Sequence, residues 1–225
     1  YLRGEILCLR ATLHAYRGRY DDAATIAAGV AETARRIGDL QAVLPALVTQ
    51  ATILIGQEED GGAVAAWREA IERRGDIRDG ILSAWVAFEA VDGLTAMHAR
   101  HLESADVRDG LQLLAGFCAT IEADVLRPGD LVQAEVRRAM LGAAVDQLAS
   151  VARRHGDFLG GRSAALPVLD REHRLFDAAR VRLWLAEDGM ELDELPSALA
   201  TFEELGAHPY VERAHRLRDR SDRPA

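Results

Sequence analysis

The feature that most constrains the fold of this 225-residue chain is the recurrence of apolar residues at spacings of three and four, in segments that glycines separate. The first segment carries Leu2, Ile6, Leu9 and Leu13, and Gly18 follows it. Apolar side chains at this spacing share one face of an α-helix, so we expect this stripe to face a core. No segment shows the sustained alternation of a strand, and the sequence therefore predicts an all-α protein.

The next segments repeat this pattern. Two aspartates at 21–22 mark the start of a second helix, where free N–H groups and the helix dipole favour carboxylates. Gly38 stands where a C-terminal cap is expected. A third helix is predicted over 40–55, and the glycines at 61–62 form the turn into a fourth that ends near Gly75.

The helices are predicted to form repeated antiparallel pairs. Ala23 and Ala63 begin equivalent second helices and lie 40 residues apart. A period of about 34–47 residues with two helices per unit is typical of an α–α superhelix, or solenoid. A third unit is predicted with Gly93, Leu94 and Ala96 at the start of its second helix.

The later part of the chain is predicted to be helical as well. Further helices are expected over 105–124, 130–155, 172–188, 196–206 and 209–220. The Gly-rich stretch at 156–167 is predicted to be irregular. We therefore expect a helical-repeat array at 1–155, an irregular connection at 156–167, and at 168–225 either further repeats of the same array or a small second subdomain.

Two segments resemble the second helix of a tetratricopeptide repeat. Residues 63–70 have the pattern Ala-x3-Trp-x2-Ala, and residues 198–205 have Ala-x3-Phe-x2-Leu. In such helices a small residue lets the two helices of a pair approach, and the aromatic residue fills the gap to the neighbouring pair. The resemblance therefore implies that Trp67 and Phe202 are buried between pairs.

A narrower resemblance concerns residues 44–63 and 199–214. These segments resemble the helical C-terminal region of large bacterial signalling ATPases, which include LuxR-type regulators with a maltose-activator-like architecture and adenylate cyclases with appended repeats. In those proteins the repeats follow a nucleotide-binding module and sense an effector or bind a partner protein. This sequence shows no such module, cyclase segment or helix-turn-helix, so the resemblance implies one module of a larger regulator.

Composition limits the partners and the compartment. The formal net charge is −9, and a chain of this charge lacks the basic surface that nucleic acid requires. The one basic stretch, at 213–223, is interleaved with aspartates and is interpreted as a solvated helix end. There is no signal peptide and no apolar run of about 18 residues. Two isolated cysteines, Cys8 and Cys118, are expected in a reducing compartment, so we predict a cytoplasmic protein without a membrane partner.

The sequence offers no catalytic or cofactor motif. Residues 156–163 match P-loop spacing, but Arg replaces the Lys and a predicted helix, not a strand, precedes the loop. His98 and His101 are three residues apart without further metal ligands nearby. Neither cysteine lies in a nucleophile motif. We therefore expect no cofactor, no metal and no enzymatic activity, with an all-α metal-dependent enzyme as the least favoured alternative.

The resemblance also guides the search for a binding surface. Repeats that bind chaperone tails hold a carboxylate with Lys and Asn, and this chain contains neither residue; all 27 basic residues are Arg. The equivalent concave-face positions are mostly apolar or hydroxylic: Thr12, Tyr16, Arg17, Val48, Thr52 and Ile55. We expect them to bind a largely apolar peptide or a small effector. The predicted function is a non-catalytic protein- or effector-binding module, and the alternative is a small-molecule sensor with a pocket in the concave face.

Overall fold

The computed structural model describes residues 2–74, 80–101, 104–125, 134–153, 161–189 and 192–221. Within these residues the structure is all-helical and contains no strand. The helices are α1 (Leu2–Tyr16), α2 (Tyr20–Ile37), α3 (Leu40–Gly56), α4 (Asp60–Arg74), α5 (Gly80–Arg100), α6 (Ala105–Val125), α7 (Ala134–Arg153), α8 (Gly161–Arg171), α9 (Leu175–Glu187), α10 (Leu195–Glu204) and α11 (His208–Ser221). None of the described helices is both long and apolar enough to cross a membrane.

Gly38 ends α2 as predicted, whereas the glycines at 61–62, predicted to form a turn, lie inside α4, which begins at Asp60. Gly38 adopts a left-handed conformation with φ of 70°, where glycine carries no steric penalty. This conformation lets the N–H of Asp39 donate to the carbonyl of Ala34 at 2.9 Å. The Asp39 side chain then accepts from the N–H of Ala42 at 3.3 Å, so the same residue caps the start of α3.

Neighbouring helices pack in sequence order. From α1 to α4 each helix contacts the next along the chain, and α1, α3, α5 and α7 also contact one another in succession. One hydrophobic core runs through α1 to α7 and is rich in alanine and valine. Small side chains allow the close helix spacing that this packing requires.

The apolar stripe of α1 was predicted to face the core, and this prediction is wrong. Ile6, Leu9 and Leu13 are 55 %, 65 % and 56 % exposed. The buried face of α1 instead carries small residues such as Ala11 and Ala15. Because α1 contacts both α2 and α3, its inner face has no room for leucine-sized side chains, and the large residues point away from the core.

The predicted turn at Gly93 is also wrong. Gly93 lies within the continuous helix α5, and so do Leu94 and Ala96. A Cβ atom at this position would be 2.7 Å from Cζ2 of Trp67, closer than carbon atoms normally approach. The glycine therefore permits α5 to pack closely on its neighbours, and it does not end a helix.

The predicted irregular connection at 156–167 needs correction. Helix α8 begins at Gly161, so much of this stretch is helical, while residues 154–160 lie outside the described part of the chain. The helix predicted over 172–188 begins three residues later, at Leu175. Between α8 and α9 the chain turns at His173, whose φ is 55°.

The burial predicted for the two aromatic wedges is confirmed. Trp67 is 1 % exposed, and a Cβ atom at Gly110 would lie 3.5 Å from its ring, so Trp67 packs against α6 as well as α5. Phe202 is fully buried. Its ring centroid lies 5.1 Å from that of Tyr210 and 5.9 Å from that of Phe176. Both side chains thus pack against more than one neighbouring helix.

The last three helices of the chain lie near the first helix, α1. Helix α9 shares a core with α5, α7 and α8, which includes Phe88 against Trp184 with ring centroids 4.8 Å apart. Helix α11 contacts α1 and α9. Arg17, just after α1, donates from Nε to the carbonyl of Leu205 at 3.4 Å. The two ends of the described chain therefore meet, and this contact creates the cavity described next.

Candidate functional site

A cavity of about 200 Å³ lies where the two ends of the chain meet. Residues from α1, α3, α5 and α11 form its walls, and Tyr20 at the start of α2 lies at its rim. The floor is mostly apolar and aromatic, with Tyr16, Ile55, Ala96 and Tyr210 among its residues. The cavity therefore depends on residues that are far apart in the sequence.

Arg180 of α9 lies beneath this floor and is fully buried. Its two terminal nitrogens donate to the two carboxylate oxygens of Glu89 at 2.7 and 3.0 Å. Its Nε donates to Oδ2 of Asp92 at 3.1 Å. The planar guanidinium group matches a carboxylate in this bidentate geometry, so α9 is held firmly against α5.

Four aromatic rings surround the same guanidinium group. Its Cζ atom lies 4.7 Å from the ring centroid of Phe88, and 5.5 to 5.8 Å from those of Phe176, Tyr16 and Tyr210. A cation over an aromatic face is attracted by the ring quadrupole, most strongly where water is excluded. This aromatic cage, which comes from α1, α5, α9 and α11, is therefore already occupied by a cation of the protein itself.

Asp92 connects three helices through four donors. Besides Arg180, it accepts from Arg213 Nη1 at 3.0 Å, from the Tyr210 hydroxyl at 2.6 Å and from Trp184 Nε1 at 2.7 Å. Burial alone raises the pKa of Asp92, but Arg180, Arg213 and the two neutral donors outweigh it and hold the pKa well below its usual range. Asp92 is therefore ionised and fully hydrogen-bonded.

The buried cluster contains more carboxylates than guanidinium groups. Arg213 forms a second bidentate pair, with both oxygens of Glu187 at 2.6 Å. Burial raises the pKa of Glu89, although Arg180 opposes the shift, and burial also raises that of Glu187, where Arg213 opposes it. These side chains hold α5, α9 and α11 together in what we call the closed arrangement. Their hydrogen bonds are made within the protein.

At the rim of the cavity, two side chains have hydrogen-bond donors without a partner among the described residues. The hydroxyl of Tyr20 has no hydrogen-bond partner among the residues that the structure describes. Arg100 pairs through Nη2 with Asp60 Oδ1 at 2.5 Å, but its Nε is buried and has no acceptor within the described ranges. Burial raises the pKa of Tyr20, with Glu212 adding to the shift and Arg100 opposing it. All three side chains line the cavity.

Three of the six residues predicted for the concave face line the cavity. They are Tyr16, Thr52 and Ile55. Thr52 donates to the carbonyl of Val48 at 3.1 Å, which leaves its oxygen free to accept.

The other three predicted residues lie elsewhere. Thr12 is buried, and its hydroxyl is 2.7 Å from that of Thr49, so it joins α1 to α3. Val48 is buried in the main core. Arg17 is exposed and contacts the backbone at the end of α10. None of these three lines the cavity.

Sequence reasoning missed the residues contributed by α5 and α11. The interpretation of 213–223 as a solvated helix end is wrong for Arg213, which is buried against Asp92 and Glu187, although Arg216 is exposed. One local signal was present. Glu89 and Asp92 are three residues apart in an otherwise apolar helix, so they share a buried face and require cationic partners.

The residues considered for catalysis form no reactive arrangement in the described structure. No group of three or more His, Cys, Asp or Glu side chains that could hold a metal ion occurs within the described ranges. Both cysteines are buried, and burial raises the pKa of Cys8 to about 11 and that of Cys118 to about 12, so both are protonated at neutral pH. Of the P-loop-like stretch, 161–163 begins helix α8, and 156–160 lie outside the described residues.

Comparisons with known proteins give no further assignment. The chain matches no protein-family model, and neither a curated protein nor a solved structure is detectably similar to it. Its function must therefore be inferred from the cavity itself.

Proposed function

We propose that this chain is a non-catalytic helical-repeat binding module of a larger bacterial signalling or transcriptional regulator, and that its ligand is a small effector held in the central cavity. In this proposal the helix pairs form an α–α superhelix that α9 to α11 close. The observation that carries it is the cavity itself, whose walls come from the first, middle and last helices of the chain.

The size of the cavity favours a small molecule over a peptide. Its volume is about 200 Å³. An apolar protein cavity of about 150 Å³ can hold benzene, so this one suits a ligand built around one ring or a short branched chain. A bound helix or extended peptide would need an open groove several residues long.

The position of the cavity favours a sensor. A ligand there would touch Tyr16 of α1 and Tyr210 of α11 together. A ligand that binds only the closed arrangement stabilises that arrangement in proportion to its affinity and concentration. Ligand occupancy would therefore be communicated to the outer surfaces of both ends of the chain.

A second candidate function, binding of a partner protein, is favoured by exposed apolar surface. Ile6, Leu9 and Leu13 form a solvent-facing stripe on α1. A separate apolar groove lies between α6 and α7, with Leu111 and Leu148 among its lining residues. Patches of this kind often mark protein interaction sites. They are compatible with an effector cavity, because a regulator can bind both an effector and a partner.

Ligand-observed NMR tests the effector proposal directly. A mixture of neutral, cationic and anionic fragments of one to two rings is added to the full chain, and saturation transfer is recorded. The same screen is repeated on Ala96→Phe, which fills the cavity, and on Ala99→Phe, an exposed position on the same helix that does not line it. We expect a set of fragments to bind the wild type and Ala99→Phe and to lose binding in Ala96→Phe.

The opposite pattern would refute the effector proposal. If every fragment that binds the wild type also binds Ala96→Phe, the cavity is not the ligand site. Inserting a large side chain into a well-packed site typically costs about 1–3 kcal/mol, so thermal melting is used to check that both variants are folded.

A further inference from the structure

We infer that the effector is a small organic monocarboxylate whose anionic oxygens bind Arg100 and Tyr20 at the rim of the cavity and whose apolar body lies on its floor. This inference rests on the proposed effector function. It adds the charge and shape of the ligand, and the residues that recognise it.

The first observation is the unused donor of Arg100. One terminal nitrogen of its guanidinium group is held by Asp60, yet Nε–H is buried without an acceptor among the described residues. A buried polar group without a partner is unfavourable, and one on a charged group is more so. Arg100 lines the cavity. Because Nε is closed off even to water, the donor that a ligand oxygen can reach is the other terminal nitrogen, Nη1, which also has no partner among the described residues.

The second observation is the free hydroxyl of Tyr20 beside it. The Tyr20 ring lies over Gly56, where a Cβ atom would collide with the ring, so the glycine makes room for the ring at the rim. Tyr20 and Arg100 both line the cavity, so one ligand can face both groups. A carboxylate has two oxygens and can accept one hydrogen bond from each donor, and bonds to a charged partner are the stronger kind.

The acidic side chains that line the cavity are either bound by guanidinium groups or, like Glu58 and Glu212, exposed to solvent. Deep in the cavity, Glu89 and Asp92 are already bound by guanidinium groups, and the aromatic rings surround Arg180. The acidic side chains at the rim include Glu212, which is 73 % exposed. Ion pairs in such exposed positions contribute little, because water and salt screen them.

The floor fits the apolar part of the ligand. Ala15, Ile55 and Ala96 provide small and aliphatic surface, and Tyr16 and Tyr210 add aromatic surface. These side chains leave about 200 Å³, which is enough for a single ring with a short side chain. Phenylacetate is a suitable probe, because it combines one ring with one carboxylate.

Isothermal titration calorimetry with three matched probes tests the charge preference. Phenylacetate, phenylacetamide and phenethylamine share a ring and differ in their polar group, and each is titrated into the full chain. We expect phenylacetate to bind at least about tenfold more tightly than the neutral amide, as a charge-assisted hydrogen bond warrants. We expect the amine to bind most weakly.

Two variants test the residues. Arg100→Lys retains a cation for Asp60 but lacks the second terminal nitrogen of the guanidinium group, and Tyr20→Phe loses only a hydroxyl that has no partner in the described protein. Both should weaken phenylacetate by about three- to tenfold or more and leave the amide nearly unchanged. Arg73→Lys, in a partly exposed pair with Glu69 away from the cavity, is the matched control and should bind like the wild type.

Each contrary result has a distinct meaning. Equal binding of amide and phenylacetate, or tighter binding of the amine, would refute the anionic ligand while leaving the effector function intact. Failure of all three probes in a protein whose fragment binding is lost in Ala96→Phe would refute this ligand class alone. Unchanged phenylacetate affinity in both Arg100→Lys and Tyr20→Phe would refute the assigned residues. Fragment binding that persists in Ala96→Phe would instead refute the function itself.

Discussion

At the scale of single residues, the structure depends most on Asp92. This carboxylate accepts hydrogen bonds from α9 and α11 while it lies on α5, so one buried side chain connects the middle of the chain to its end. Its two arginine partners each form a bidentate pair of their own, Arg180 with Glu89 and Arg213 with Glu187, and Asp92 links these two pairs to each other. The stability of the closed arrangement should therefore be sensitive to this one residue.

We predict that Asp92→Asn lowers the free energy of unfolding by about 2–4 kcal/mol, because an amide has one acceptor oxygen in place of two and leaves buried donors of α9 and α11 without a partner. Urea denaturation at neutral pH measures this change. The matched control is Glu69→Gln, which breaks the partly exposed ion pairs of Glu69 with Arg35 and with Arg73. This variant should cost no more than about 1 kcal/mol. Equal costs for the two variants would contradict the role given to Asp92.

The pH dependence of this difference is also predicted. The pKa of Asp92 is lower in the folded state than in the unfolded state, so its contribution is complete above the unfolded value of about 3.9 and is lost as the pH falls below it. Asp92→Asn has no such titration. The stability gap between wild type and variant should therefore narrow below about pH 4, by up to about 1.4 kcal/mol per pH unit. Urea titrations between pH 7 and 3 measure it, and a gap that widens on acidification would be inconsistent with this pKa.

At the scale of helices, α1 shows how size decides which face is buried. Its large apolar residues are exposed and its alanines are buried, because two neighbouring helices approach closely on the inner face. The hydrophobic pattern alone predicts the opposite orientation. Spacing identifies a helix, whereas the distance to its neighbours decides which stripe is inside.

This orientation predicts an unusual pair of mutational effects. Leu9→Ala removes an exposed side chain and should change the free energy of unfolding by no more than about 0.5 kcal/mol. Ala11→Leu adds volume where the wild-type side chain is fully buried and should cost about 1–3 kcal/mol or more. Thermal or urea unfolding compares the two. A large loss for Leu9→Ala with none for Ala11→Leu would mean that α1 presents its other face to the core.

The helices themselves could largely be predicted from local sequence. The cap at Gly38, the start of α2 and the burial of Trp67 follow from residues within a few positions of one another. Gly93 could not be interpreted locally, because its meaning depends on the Trp67 ring from another helix. The same residue type ends one helix and permits close packing in another.

The candidate site was predictable only in part, for a related reason. Thr52 and Ile55 line the cavity, and the resemblance to a helical repeat predicts that both lie on its concave face. Arg213 reaches Asp92 across 121 residues, and this pairing depends on the return of α11 to the middle of the chain. A local pattern of charges carries no information about such a return, so the stretch around Arg213 resembled an ordinary solvated helix.

At the scale of the whole molecule, the two ends of the chain enclose the cavity together. Helix α11 lies against α1, and Pro209 fits beside Gly18 at the junction. The ionic cluster beneath the floor holds the last helices in place, while the donors at the rim are left unused. In our proposal the first group maintains the closed shape, and the second recognises the effector.

The most direct test of this account is a crystal structure of the full chain soaked with phenylacetate and with the fragments that bind in the NMR screen. The account predicts difference electron density for a ligand between α1, α3, α5 and α11, with a ligand oxygen within hydrogen-bond distance of the Arg100 guanidinium group or of the Tyr20 hydroxyl. Density confined to the exposed stripe of α1 or to the groove between α6 and α7, with only water in the cavity, would contradict it.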